Sequence, residues 1–183
     1  LGGDGGFTQA GTGNTVLMLA NTYIGPTTLE AGTLTLGAAG VLPDASLVSI
    51  GSATLATGSF AETAGKLDPT AAATINLASS TAIAFANSST VDWTGGTLTL
   101  TGTFVSGSSL RFGTSATALT ATQLSQISAA GYANFALDAN GYLTAMSTAG
   151  FAYWSTVTYA NGALPTNQRG PNDDFDQDGV VNL

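Results

Sequence analysis

Between residues 7 and 113, apolar and polar positions alternate in short runs that close on Gly, Asn, Ser or Pro. The clearest runs are Thr15-Val-Leu-Met-Leu19, Thr33-Leu-Thr-Leu36, Leu47-Val-Ser-Ile50, Thr74-Ile-Asn-Leu77 and Thr97-Leu-Thr-Leu-Thr-Gly-Thr-Phe104. Several set Thr against Leu or Ile at every second position, the period of a strand with one buried face. No window in this region has helical spacing, and glycine recurs too often for helices. Many short strands with Gly turns fit a sandwich, a barrel or a β-solenoid.

Repetition favours the solenoid. Gly32-Thr-Leu-Thr-Leu36 returns as Gly96-Thr-Leu-Thr-Leu100, and Gly51-Ser-Ala-Thr-Leu55 echoes both. One strand type repeated irregularly, with small residues at the corners, suits stacked coils that each touch only their neighbours. A sandwich of similar strands is the alternative. The stretch Gly5 to Gly37 then adds specific positions: Gly11, Gly13, Leu17, Asn21, Tyr23, Gly25, Thr27, Leu29, Gly32, Leu34, Leu36 and Gly37. In that spacing it resembles the autotransporter-associated β-strand repeat, and the resemblance extends to residue 113 through Phe85 to Phe112. It implies an all-β chain, a right-handed parallel β-helix, in an exported bacterial surface or extracellular protein. It implies no catalytic residues.

After residue 113 the texture changes. Leu119 to Gly131 reads as a helix, with Thr120 and Gln123 spaced as a capping box, Leu119 and Leu124 as a hydrophobic staple, and Gly131 as the stop. Asn134 to Ala145 reads as a β-hairpin around Asn140-Gly141, a strong short-turn signal. This helix-hairpin unit is expected to cap the last coil, because an open coil end exposes unpaired strand edges. Residues 146 to 183 read as an extended tail, with aromatics at Phe151, Tyr153, Trp154 and Tyr159 that are expected to pack back on the protein. The expected organisation is therefore a solenoid over 1–113, a cap over 114–145 and a tail over 146–183.

Composition narrows the functions. Only 8% of the 183 residues are charged, while 44% are apolar, so a folded chain with a weakly self-repelling surface is expected. The net charge is −8 and the only cations are Lys66, Arg111 and Arg169. Nucleic-acid binding needs a basic footprint, which is missing. The same shortage argues against anionic lipid, and no apolar run reaches the roughly 18 residues a membrane span needs. With neither Cys nor His, disulfides, thiolate sites and the commonest general base and transition-metal ligand are excluded.

The acid that exists is concentrated at the end. Asp174, Asp176 and Asp178, then Gly179, Val180 and Asn182, place oxygen ligands at loop positions 1, 3, 5, 7 and 9, with Gly at the sharp turn of position 6. Carboxylates alternating in a tight loop point to one centre, and oxygen-only ligation in a flexible loop favours calcium over magnesium. The stretch resembles the calcium loops of dockerin and thrombospondin type 3 repeats. The bidentate carboxylate of position 12 would fall beyond Leu183, leaving Asp173 or another molecule to complete the set.

Other candidates are thinner. Glu30 with Glu62, or Asp68 with Asp92, would form a carboxylate pair for sugar hydrolysis if they shared a solenoid face; isolated surface carboxylates are the simpler reading. Trp93 and Tyr23 would stack on sugars if exposed, although strand aromatics usually pack. Arg111, beside a strand, is expected to pair with a local carboxylate. Asn87-Ser88-Ser89 fits the N-glycosylation pattern. The glycines of residues 2 to 13 precede a strand, where a dinucleotide loop requires a helix. The function expected is non-enzymatic and structural: a bacterial surface or extracellular protein that self-associates into an oligomer or filament through its solenoid ends and tail. An adhesin passenger, or a carbohydrate-binding or carbohydrate-active β-helix meeting a cell-surface glycan, are the alternatives.

Overall fold

The computed structural model describes residues 1–78 and 82–148. The first coil holds β1 (Gly2–Gly3), β2 (Phe7–Gln9) and β3 (Asn14–Leu17). The second holds β4 (Thr22–Tyr23), β5 (Thr27–Leu29) and β6 (Thr33–Leu36), and the third β7 (Val48–Ile50), β8 (Thr54–Ala56) and β9 (Glu62–Ala64). Next come β10 (Leu67–Pro69), β11 (Ala72–Leu77) and β12 (Ile83–Phe85), then β13 (Thr97–Gly102) and β14 (Leu110–Phe112). The helix α1 (Ala121–Ser125), β15 (Ile127–Ala129) and the pair β16 (Tyr132–Leu137) and β17 (Leu143–Ser147) complete the order.

These strands stack into a parallel β-solenoid of about 5 turns, with one short helix. A six-stranded sheet runs β3-β6-β8-β11-β13-β15, a four-stranded sheet β2-β5-β7-β10, and a three-stranded sheet β9-β12-β14. Strands of one sheet pair in parallel because the chain returns to each sheet only after a full circuit. In the early coils, hydrogen bonds between neighbouring turns join residues 19 to 21 apart. Later corners are longer, so that Ile83 pairs Leu110 and Leu98 pairs Ile127.

The Thr/Leu alternation becomes ladders. Leu34, Leu55, Ile75 and Leu100 stand in register inside the six-stranded sheet, the first three of them fully buried. Burying one such side chain stabilises the fold by roughly 1.5–3 kcal/mol. On the opposite face of the same strands, Thr33, Thr54, Thr74, Thr99 and Ser128 form an outward row. In the three-stranded sheet Phe85 and Phe112 occupy one register and stack, centroids 5.6 Å apart. The glycine that opens each Gly-x-Leu-x-Leu unit marks a close approach of backbones. A Cβ on Gly32 (φ +71°) would meet the carbonyl oxygens of Gly11 and Gly13, and one on Gly96 the carbonyl of Pro69.

The helix is shorter than the sequence suggests. Its start is as expected, with Thr120 and Gln123 exchanging both bonds of a capping box. It ends at Ser125, and Ile127–Ala129 instead adds a parallel strand to the edge of β13. Sheet pairing wins because it satisfies the open edge of β13 and buries Ile127 next to Leu98. Gln126 sets the switch, its Nε2 donating to the carbonyls of Trp93 and Gly96. The hairpin β16–β17 turns at Asp138–Tyr142, where Asp138 Oδ1 accepts from the Asn140 and Tyr142 amides and Gly141 takes φ +84°.

Contacts gather into one compact unit, Leu1–Met146, and a second, Ser147–Leu183, which lies almost wholly outside the described residues.

Candidate functional site

The proposed calcium ligands Asp174, Asp176, Asp178, Val180 and Asn182 lie outside the described residues, as do the tail aromatics Phe151, Tyr153, Trp154 and Tyr159. Among the described residues no three acidic side chains gather as a metal site would require.

Glu62 is a buried carboxylate bound to backbone. It opens β9 at an inward position level with Ile83 and Leu110, and is 3% exposed. No strand forms between β6 and β7, and the loop there presents bare backbone donors. Glu62 answers them, accepting from the amides of Val41 at 3.0 Å and Leu42 at 3.2 Å. Burial pushes its carboxyl above the ordinary carboxylate range, these amides and that of Gly40 pull it back, and the charge of Asp44 adds to the rise. Glu30 is exposed after β5 and is not among the groups that act on Glu62.

Asp68 feels the charge of Asp92. Burial raises the Asp68 carboxyl first and the Asp92 charge raises it further, while a Ser49 hydrogen bond lowers it. One Asp68 oxygen is buried without a partner. Asp92 is held low by the side chain and amide of Thr94. The Asp92–Thr94 bonds are those of an Asx turn, which explains Asp92 as a loop-former.

The aromatic candidates are packed. Trp93 is 2% exposed, donates Nε1 to the Leu67 carbonyl, and meets Phe112 edge-on. Tyr23 is 3% exposed, with its hydroxyl 2.6 Å from Thr27 Oγ1. Neither offers a face to a sugar. Lys66 donates to Thr90. In Asn87-Ser88-Ser89, Asn87 Oδ1 accepts from Ser89, and the buried Ser88 hydroxyl accepts from the Leu67 amide. Buried Gln123 was expected only as a cap partner. Its Nε2 also donates to the Ser88 and Val91 carbonyls, tying the helix to the preceding corner.

Arg111 departs from expectation. Among the described residues it forms no ion pair; its guanidinium lies 5.7 Å from the Tyr142 ring centroid, and its Nε is buried without a partner. The cause is the hairpin, whose Tyr142 bridges antiparallel to Arg111 and brings the ring over it. Arg111 lines a cleft of about 350 Å³ with Asp44 and Glu62, over a floor that includes Ala61, Ala82 and Ala84. Thr63, Ala84 and Arg111 are neighbours in one outward register, so two small side chains followed by a long one produce the step that forms a wall.

The two ends of the stack differ. Among the described residues β2 and β3 are each paired on one side only. Leu1, Val16, Met18, Leu19 and Ile24 are exposed large apolar side chains of this first turn and the corner that follows it. At the other end the hairpin covers β14: Phe112 donates to the Gly141 carbonyl and Gly107 to that of Leu143.

Set against protein-family models, curated proteins and solved structures, the chain matches none. Its ladders are those of a parallel β-solenoid, consistent with a β-helix repeat protein, and no family match stands behind the autotransporter-type repeat or the dockerin-like loop.

Proposed function

We propose that the chain is a non-enzymatic structural module of an exported bacterial surface or extracellular protein, of the autotransporter-associated repeat type, and that it self-associates. The observation that carries this reading is the parallel stack itself, with Leu and Ile ladders inside and a row of Thr and Ser outside. Among the described residues β3 is paired on one side only, and its edge, with exposed Val16, Met18 and Leu19 nearby, is where a second copy would add a strand, while the hairpin covers β14 at the opposite end. The sides of the stack suit a spacer: the outward row of Thr and Ser carries no charge. Coils that bury Leu and Ile inside and show small hydroxyls outside make a stiff body without catalytic machinery. Open end on open end closes a dimer, while open end on a different surface propagates a filament. Calcium held by Asp174, Asp176, Asp178, Val180 and Asn182 would act in the tail as a local staple or a joint between molecules.

Electron microscopy of the full chain with calcium, then with chelator, tests this role. Ordered assemblies that depend on calcium support a structural subunit jointed through the tail, and assemblies that ignore it place the joint in the solenoid. Separate particles in both conditions rule out the assembly role.

A further inference from the structure

In a chain with 8% charged residues, Asp44, Glu62 and Arg111 meet in one cleft, and the spacer role has no use for that convergence. Glu62 is already occupied by the Val41 and Leu42 amides, so it belongs to the wall. Arg111 and Asp44 are not. Arg111 is held against Tyr142 with a buried Nε–H that has no acceptor, an unfavourable state for a charged donor. Asp44 is exposed and makes no hydrogen bond among the described residues. Although opposite in charge and lining one cleft, the two are not paired. Among the described residues they leave a carboxylate and a guanidinium for something else to join.

The chemistry of that ligand follows from the balance. An anion would suit Arg111 but would also meet Asp44, Glu62 and a net charge of −8. A cation would suit Asp44 and meet the guanidinium. Neighbouring hydroxyls satisfy both, because each can donate to a carboxylate and accept from a guanidinium. The methyl groups of Ala61, Ala82 and Ala84 in the lining suit the C–H face of a sugar ring. The volume, about 350 Å³, is at the small end of ligand clefts, which run from about 300 to 1,000 Å³.

We propose that this cleft is a subsite for a neutral pyranose unit of a glycan, in which Arg111 donates to one ring hydroxyl and Asp44 accepts from its neighbour. The site is proposed to bind rather than cleave: the carboxyl of Glu62 is turned to backbone amides, so among the described residues no second carboxylate of the cleft is free beside Asp44.

Saturation-transfer NMR on the full chain tests this, with the methyl glycosides of glucose, galactose and mannose as probes, and glycine and glucuronate as zwitterionic and anionic controls. A neutral glycoside is expected to receive saturation and both controls to fail. Asp44→Ala, at an exposed position that leaves the core intact, is expected to weaken binding about tenfold or more, the usual worth of a hydrogen bond to a charged group. Arg111→Lys, which removes the fork and the Nε–H, is expected to do the same, with circular dichroism reporting its fold. If the controls bind and the glycosides do not, the site is a charge site and the proposal falls. It falls equally if nothing binds, or if glycoside binding survives Asp44→Ala.

Discussion

Glu62 shows how one side chain takes its meaning from the coil beside it. An acidic residue at an inward position, in the triplet Glu62-Thr-Ala64, signals that donors must lie opposite; which donors, the sequence does not say, because Val41 and Leu42 face it only once the turns are stacked. Burial is the largest cause of its raised pKa, so folding holds its proton more tightly than the unfolded chain does. This group therefore stabilises the fold most below its unfolded value, and the contribution is lost as pH rises through the raised folded value. A denaturant midpoint that declines with pH above the ordinary carboxylate range, with a shallower decline in Glu62→Gln, is the expected result. Leu55 makes a second prediction: fully buried between Leu34 and Ile75, its replacement by Ala is expected to cost about 2–5 kcal/mol in denaturant unfolding. Gly32→Ala is expected to destabilise by more than the roughly 0.4–1 kcal/mol that such a change gains at a permissive site, because the new Cβ has backbone on two sides.

At the scale of elements, the strands were legible because alternation is local. The Thr/Leu runs gave their positions and their buried faces without any knowledge of neighbours. Register was not legible. Leu34, the first Leu of the Gly32 unit, lies level with Leu100, the second Leu of the Gly96 unit, a shift of two residues that keeps the same face inward. The helix was half legible: its capping box is written in Thr120 and Gln123, but its end depends on the open edge of β13, which lies far away in sequence. The cleft was illegible as a site, since Arg111 and Tyr142 meet only through the hairpin. Gln123 carries the clearest test of the cap. Gln123→Ala strands the Ser88 and Val91 carbonyls and is expected to cost about 1–3 kcal/mol. Amide exchange should then accelerate first in Ile127–Ala129, which the helix delivers to the sheet. Unchanged protection there would mean that the strand holds itself.

At the scale of the whole molecule, stacking turns single residues into surfaces. The inward ladders supply stability turn by turn, the outward Thr row leaves the face of the six-stranded sheet uncharged along that row, and the ends inherit whatever the last coil leaves unpaired. Among the described residues the hairpin covers β14 at one end, and β2 and β3 are paired on one side only at the other. Lys is the usual means by which natural edge strands avoid pairing, and the exposed face of β3 carries Val16 instead. The most direct measurement is sedimentation equilibrium of the full chain over rising concentration, for the parent and for Val16→Lys. The expected result is a parent mass that climbs above 18.1 kDa while the variant, equally folded by circular dichroism, remains at 18.1 kDa. A parent that stays at the single-chain mass throughout, or a variant that associates as strongly as the parent, would contradict self-association through the first coil.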